Sequence, residues 1–218
     1  MKILVSIAAS LFLIAIYMIF SYTPTEAVMG IVQKIFYFHL PLAFTGFFSF
    51  FVSFICGVLY LVKKDSKYDV YGATSVEIGV VLTTLVLISG SLWARPIWNT
   101  WWTWDPRLTT ALILWLIYVA YLILRMSIEQ DGKRASFCAV MAIIGFVDVP
   151  IVFFSARLWR TIHPVVIQKD KIALASSMKL SLLIAMVAFF ALWTVLFKLR
   201  TKTLFLNERV KRLNNKIL

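Results

Sequence analysis

Six apolar runs alternate with short polar connections along this chain, at residues 3–22, 40–62, 76–93, 109–124, 135–154 and 174–197. A helix crosses the hydrocarbon core of a bilayer with about 20 predominantly apolar residues. Each run comes close to that length, so the pattern predicts six membrane-spanning helices and an all-α integral membrane protein. The first run follows Lys2 directly, is too long for the apolar core of a signal peptide and lacks an A-x-A site, which reads as a retained helix. The fifth contains Pro150, which kinks a helix by removing a backbone donor. Beyond residue 197 the chain turns basic, and residues 198–218 read as an extramembrane tail on a six-span unit of residues 1–197.

Composition agrees. Of the 218 residues, 61% are hydrophobic and 15% charged, with a mean hydropathy of +0.89; soluble domains carry about 25% charged residues. The formal charge of +12 is not a nucleic-acid footprint, because the basic residues stand in short blocks between apolar runs. Six spans return both termini to one side. That side holds fourteen basic residues, in Lys2, the 63–67 block, the 125–134 block and the tail; the other connections hold seven. The richer side is expected to be cytoplasmic. Cys56 and Cys138 lie far apart in apolar runs, with no C-x-x-C and no C-x-x-C-H. This excludes a thioredoxin-like dithiol enzyme and a c-type cytochrome, and leaves both cysteines as small buried hydrophobes.

Five of the eight tryptophans fall between positions 93 and 104: Trp93, Trp98, Trp101, Trp102 and Trp104. One reading is an interfacial belt. A belt, however, spreads over every helix end, and these crowd into one outward connection. The other reading is a platform for a large, flat, apolar ligand. The two histidines favour the platform. His39 stands at the mouth of span two and His163 in the connection between spans five and six, both expected at the face that carries the tryptophans. Imidazole ligates haem iron, indoles pack on porphyrin, and arginine pairs with carboxylates in bidentate fashion. Asp105 and Pro106 read as the N-cap and first residue of span four. Arg107 then lies at the positive end of a helix dipole, where Asp105 or a ligand carboxylate relieves it. Glu77 and Asp148 are ionisable residues within spans. Glu77 lies near the cytoplasmic end, within reach of water, and Asp148, beside Pro150, is placed to take a freed donor.

The stretch Trp-Asn-Thr-Trp-Trp-Thr-Trp-Asp-Pro-Arg-Leu-Thr at 98–109 resembles the tryptophan-rich signature of the haem-handling proteins of cytochrome c biogenesis. Phe36-Tyr-Phe-His-Leu-Pro41, Ser89-Gly-Ser-Leu-Trp-Ala-Arg-Pro-Ile-Trp98 and the stretch from Pro150 to His163 are similar to the six-span CcmC family. The resemblance implies a six-helix bundle with haem b held transiently outside the membrane and passed to the haem chaperone CcmE. It also implies association with the transporter subunits CcmA and CcmB and the small subunit CcmD. His39 and His163 match the family's two histidines and become the expected iron ligands, from separate connections. Trp93, Trp98, Trp101, Trp102, Trp104, Asp105 and Arg107 complete the expected site. The chain departs from the family at Leu158-Trp159, commonly a paired tryptophan, and at Pro164, commonly Gln. The expectation is a haem-delivery protein of the cell membrane, not an enzyme. The competing readings are a b-type electron carrier, which holds haem inside the bilayer, and a ligand-free transporter scaffold.

Overall fold

In a computed structural model, residues 1–159 and 174–217 are described. Over them the chain is helical: α1 Lys2–Tyr17, α2 Phe36–Lys63, α3 Ser66–Trp98, α4 Pro106–Ser127, α5 Asp131–Phe146, α6 Asp148–Leu158 and α7 Ser176–Ile217. A π-helical turn, Met18–Tyr22, extends α1, and a 3-10 turn, Ile31–Ile35, leads into α2. Six of the resulting segments are long and apolar enough to cross a membrane. The expected six-span all-α architecture is therefore present.

Helix α2 is the hub, packed against α3, α5 and α7, while α4 bridges α3, α5 and α6 and α1 lies on α7. Lipid gives helices no hydrophobic reason to associate, so close approach and interhelical hydrogen bonds carry the packing. Both occur here. A Cβ on Gly57 would stand 2.9 Å from the Ala139 carbonyl oxygen, so only glycine lets α2 and α5 meet backbone to backbone. At Gly79 a Cβ would meet the Phe50 ring at 2.5 Å. That ring is fully buried and stacks on Tyr118 at 3.7 Å between centroids. Two indoles add polar links: Trp193 Nε1 donates to Ser49 Oγ at 2.6 Å, and Trp115 Nε1 donates to Thr84 Oγ1 at 2.8 Å.

The helix boundaries differ from the hydropathy pattern in an informative way. α3 begins ten residues before the expected apolar start, capped by Asp65, whose carboxylate accepts the Lys67 N–H at 3.0 Å. Its polar first turns are usable because Asp69 meets Arg125 of α4 in a two-pronged bridge, 2.7 and 2.8 Å. Glu77 does not merely reach for water: it pairs with Arg200 of α7. The expected fifth span divides at Val147. Pro150 has no N–H for the Phe146 carbonyl, so the chain resumes as α6. Asp148 opens α6, but its Oδ2 is buried without a hydrogen bond, so that oxygen does not take the freed donor. α7 continues unbroken from the last span into the basic tail.

Candidate functional site

The connection from α3 to α4 is built from two helix caps placed back to back. α3 ends at Trp98 because Asn99 turns left-handed, at φ 54°, a conformation asparagine accepts at little cost. Arg95 folds back over this end. Its Nη1 donates to Asn99 O and to Asn99 Oδ1, both at 2.8 Å, placing a cation at the negative end of α3. The same guanidinium lies over the Trp101 ring, 5.9 Å from its centroid. Six residues after Asn99, Asp105 starts α4, its carboxylate accepting the Arg107 N–H at 3.0 Å, with Pro106 in the first turn. Both expected roles, cap and first residue, are present.

These caps aim the tryptophans in different directions. A cavity of about 250 Å³ opens between α2, α3 and α4, and Trp93, Trp98, Trp102, Arg107 and His39 all line it. Aliphatic positions such as Val86, Leu108, Ala111 and Leu114 supply the rest of an apolar wall. Trp101 and Trp104 are outside it, 56% and 75% exposed. Trp104 touches the group from behind, edge-on to Trp102 at 6.0 Å. Asp105 is not on the wall either, and acts through the α4 cap. His163 lies outside the described residues. The structure thus brings five of the nine expected residues to one cavity, with three more packed around or beneath it.

His39 is not in a connection. The 3-10 turn Ile31–Ile35 starts the helix early, and His39 is the fourth residue of α2, held by a spanning element. Pro41, two residues further on, stands inside α2 and supplies no N–H to the Tyr37 carbonyl. The imidazole packs edge-on against Trp93, 5.9 Å between centroids. Its Nδ1 is 2.9 Å from Ser89 Oγ, while Nε2 makes no hydrogen bond among the described residues. Two further polar features accompany it. Trp93 Nε1 is buried without a partner among the described residues, and the Arg107 guanidinium, on the same wall, interacts electrostatically with the Asp105 carboxylate. Buried donors left unpaired cost free energy, so the wall is polar where a ligand with acceptors would repay it.

Ser89 and Gly90 were not among the expected site residues. Their signal is positional: with Trp93 they occupy one face of α3 at i, i+1 and i+4. A Cβ on Gly90 would stand 3.2 Å from His39 Cε1, so the small residue makes room for the ring.

The profile of a family described as Heme exporter protein C matches residues 1–216. The heme exporter protein C of Bradyrhizobium diazoefficiens is 33% identical over 192 residues, covering 87% of this chain and 73% of that protein. That of Rhodobacter capsulatus is 30% identical over 204 residues, covering 90% and 83%. That of Escherichia coli K12 is 30% identical over 144 residues, covering 66% and 59%. With six spans and the tryptophan-rich connection in place, the chain belongs to the heme exporter protein C family, CcmC.

Proposed function

We propose that this protein binds haem b transiently at the extracytoplasmic face of the cell membrane and presents it to the haem chaperone CcmE for cytochrome c maturation. The observation that carries this reading is the convergence of one imidazole, three indoles and one guanidinium on a single apolar cavity. Haem has a flat apolar macrocycle, an iron centre and two carboxylates. Trp93, Trp98 and Trp102 answer the macrocycle, His39 the iron and Arg107 a carboxylate. The buried Trp93 indole N–H provides a further donor. A cavity of about 250 Å³ is small beside typical ligand pockets of about 300–1,000 Å³, which suits a molecule gripped at one edge and given up again.

In this reading His163 is the second iron ligand, reaching the site from the connection after α6. His39, fixed on α2, is the ligand that stays. Exposed Trp101 and Trp104 lie at the rim, where a chaperone approaches. The basic blocks orient the chain with both termini and the 198–218 tail in the cytoplasm. The relatives' name, heme exporter protein C, supports haem delivery as the task; in this reading the protein works within a complex that includes CcmA, CcmB and CcmD. The protein makes no bond itself and is not an enzyme.

The test is an absorption spectrum of the purified full chain reconstituted with haem. His39→Gly and His163→Gly are each expected to lose or shift the Soret band, with added imidazole restoring it. A histidine whose variant keeps the wild-type spectrum without imidazole is not a ligand. A wild-type protein with no Soret band after haem addition would leave the ligand-free scaffold, and reversible redox cycling with a quinol would favour the electron carrier.

A further inference from the structure

The geometry points to Ser89 as a positioning residue that holds His39 in its Nδ1–H tautomer, leaving the Nε2 lone pair for iron. The inference rests on the haem-binding reading above and names the atom that reading needs.

A serine hydroxyl has one proton and two lone pairs. Ser89 Oγ stands 2.7 Å from the Leu85 carbonyl oxygen and 3.2 Å from that of Val86. Carbonyls cannot donate, so these contacts are hydrogen bonds only when the single hydroxyl proton points back into α3. This is the usual back-bond of a serine within a helix. Toward His39, 2.9 Å away, Ser89 Oγ can then only accept. The proton of that hydrogen bond belongs to Nδ1. A neutral imidazole carries one N–H, so Nε2 is left unprotonated. The reverse arrangement would turn the hydroxyl away from its own helix. It would also leave Nε2–H without an acceptor among the described residues.

Two neighbours shape the space the ring occupies. Trp93 meets it edge-on at 5.9 Å. Gly90 leaves the gap the ring occupies, since a Cβ there would press Cε1 at 3.2 Å. Ligating histidines are generally oriented by a bond from their second nitrogen, whose loss weakens metal affinity by about 10–100-fold. Here that partner is a neutral hydroxyl. It fixes the tautomer without adding the electron donation of a carboxylate.

The experiment uses the full chain in lipid nanodiscs, labelled with 15N-histidine, without haem and at a pH where imidazole is neutral. The chain has two histidines, so a His163→Gln companion leaves one imidazole in the spectrum. Long-range proton–nitrogen correlations identify the protonated ring nitrogen. Wild type is expected to show the Nδ1–H form. Ser89→Ala is expected to move His39 toward the Nε2–H form favoured in water, and Ser89→Thr to restore Nδ1–H. With haem added, Ser89→Ala is expected to bind about tenfold more weakly, Ser89→Thr within a few-fold of wild type. An Nε2–H imidazole in wild type, or no tautomer change in Ser89→Ala, overturns the role of Ser89 and leaves His39 as a candidate ligand. A tautomer change with unaltered haem affinity and spectrum overturns the ligand reading of His39 itself.

Discussion

His39 of α2 and Trp93 of α3 meet edge to face, 5.9 Å between ring centroids, on the wall of one cavity. The two come from helices joined at the far end of the bundle, and the indole N–H beside the imidazole is buried without a partner. Trp93→Phe keeps a flat apolar ring and removes that donor. The protein is expected to insert and fold as wild type while haem retention falls several-fold, read as the ratio of Soret to protein absorbance. Unchanged retention would remove Trp93 Nε1 from the site.

The tryptophans should not behave alike. Trp98 and Trp102 line the cavity, whereas Trp101 and Trp104 are largely exposed. Trp98→Leu and Trp102→Leu are expected to weaken haem retention more than Trp101→Leu and Trp104→Leu. The exposed pair is expected instead to matter for transfer to the chaperone, measured as the rate at which CcmE acquires haem. Equal loss of retention in all four would favour a continuous platform, and instability without loss of retention an interfacial belt.

Asp69 and Arg125 form a bridge of two short hydrogen bonds, with side chains 6% and 16% exposed. Removing one partner strands a buried charge at a cost of about 3 kcal/mol. Asp69→Asn and Arg125→Gln are each expected to lower thermal stability in detergent by that order. The double variant Asp69→Leu, Arg125→Leu is expected to recover most of the loss. A double variant no better than the singles would show that the pair is worth more than its packing.

Orientation rests on charge and is open to labelling. Cys56 and Cys138 are buried, so single cysteines introduced elsewhere can report alone. An impermeant thiol reagent applied from outside is expected to modify Asn99→Cys and spare Lys67→Cys. The opposite pattern would invert the protein in the membrane and place the cavity inward.

Asp65 caps α3 outside the apolar spans. The Lys67 backbone N–H, then the Lys67 side chain, hold its carboxyl below the usual carboxylate range. A depressed folded value stabilises the native state above the unfolded value, and that contribution is lost as pH falls through the folded one. The protection of the Lys67 and Tyr68 amides, their exchange relative to the intrinsic rate at the same pH, is therefore expected to fall on acidification below the ordinary carboxylate range. In Asp65→Ala that protection should be low at every pH. An Asp65→Ala profile with the same acid step would assign that step elsewhere.

Hydropathy alone was sufficient for the six spans, because crossing a bilayer demands about 20 apolar residues wherever they occur. The crowding of Trp93 to Trp104, the cap formed by Asp105 and Pro106 and the candidate ligand His39 were likewise legible, since each is a matter of residue type and local spacing. Three things were decided only in three dimensions. Ten polar-looking residues joined α3 because Asp69 finds Arg125 some fifty residues later, and Glu77 finds Arg200 on α7; window averages are blind to such partners. The tryptophans separated into wall and rim because a left-handed Asn99 and the N-cap at Asp105 set the direction of each ring. Ser89 became the partner of His39 because α2 and α3 cross closely enough for a hydroxyl on one to reach an imidazole on the other. Local rules decide which segments enter the membrane, while a hydrogen bond between residues fifty positions apart exists only once the helices have packed.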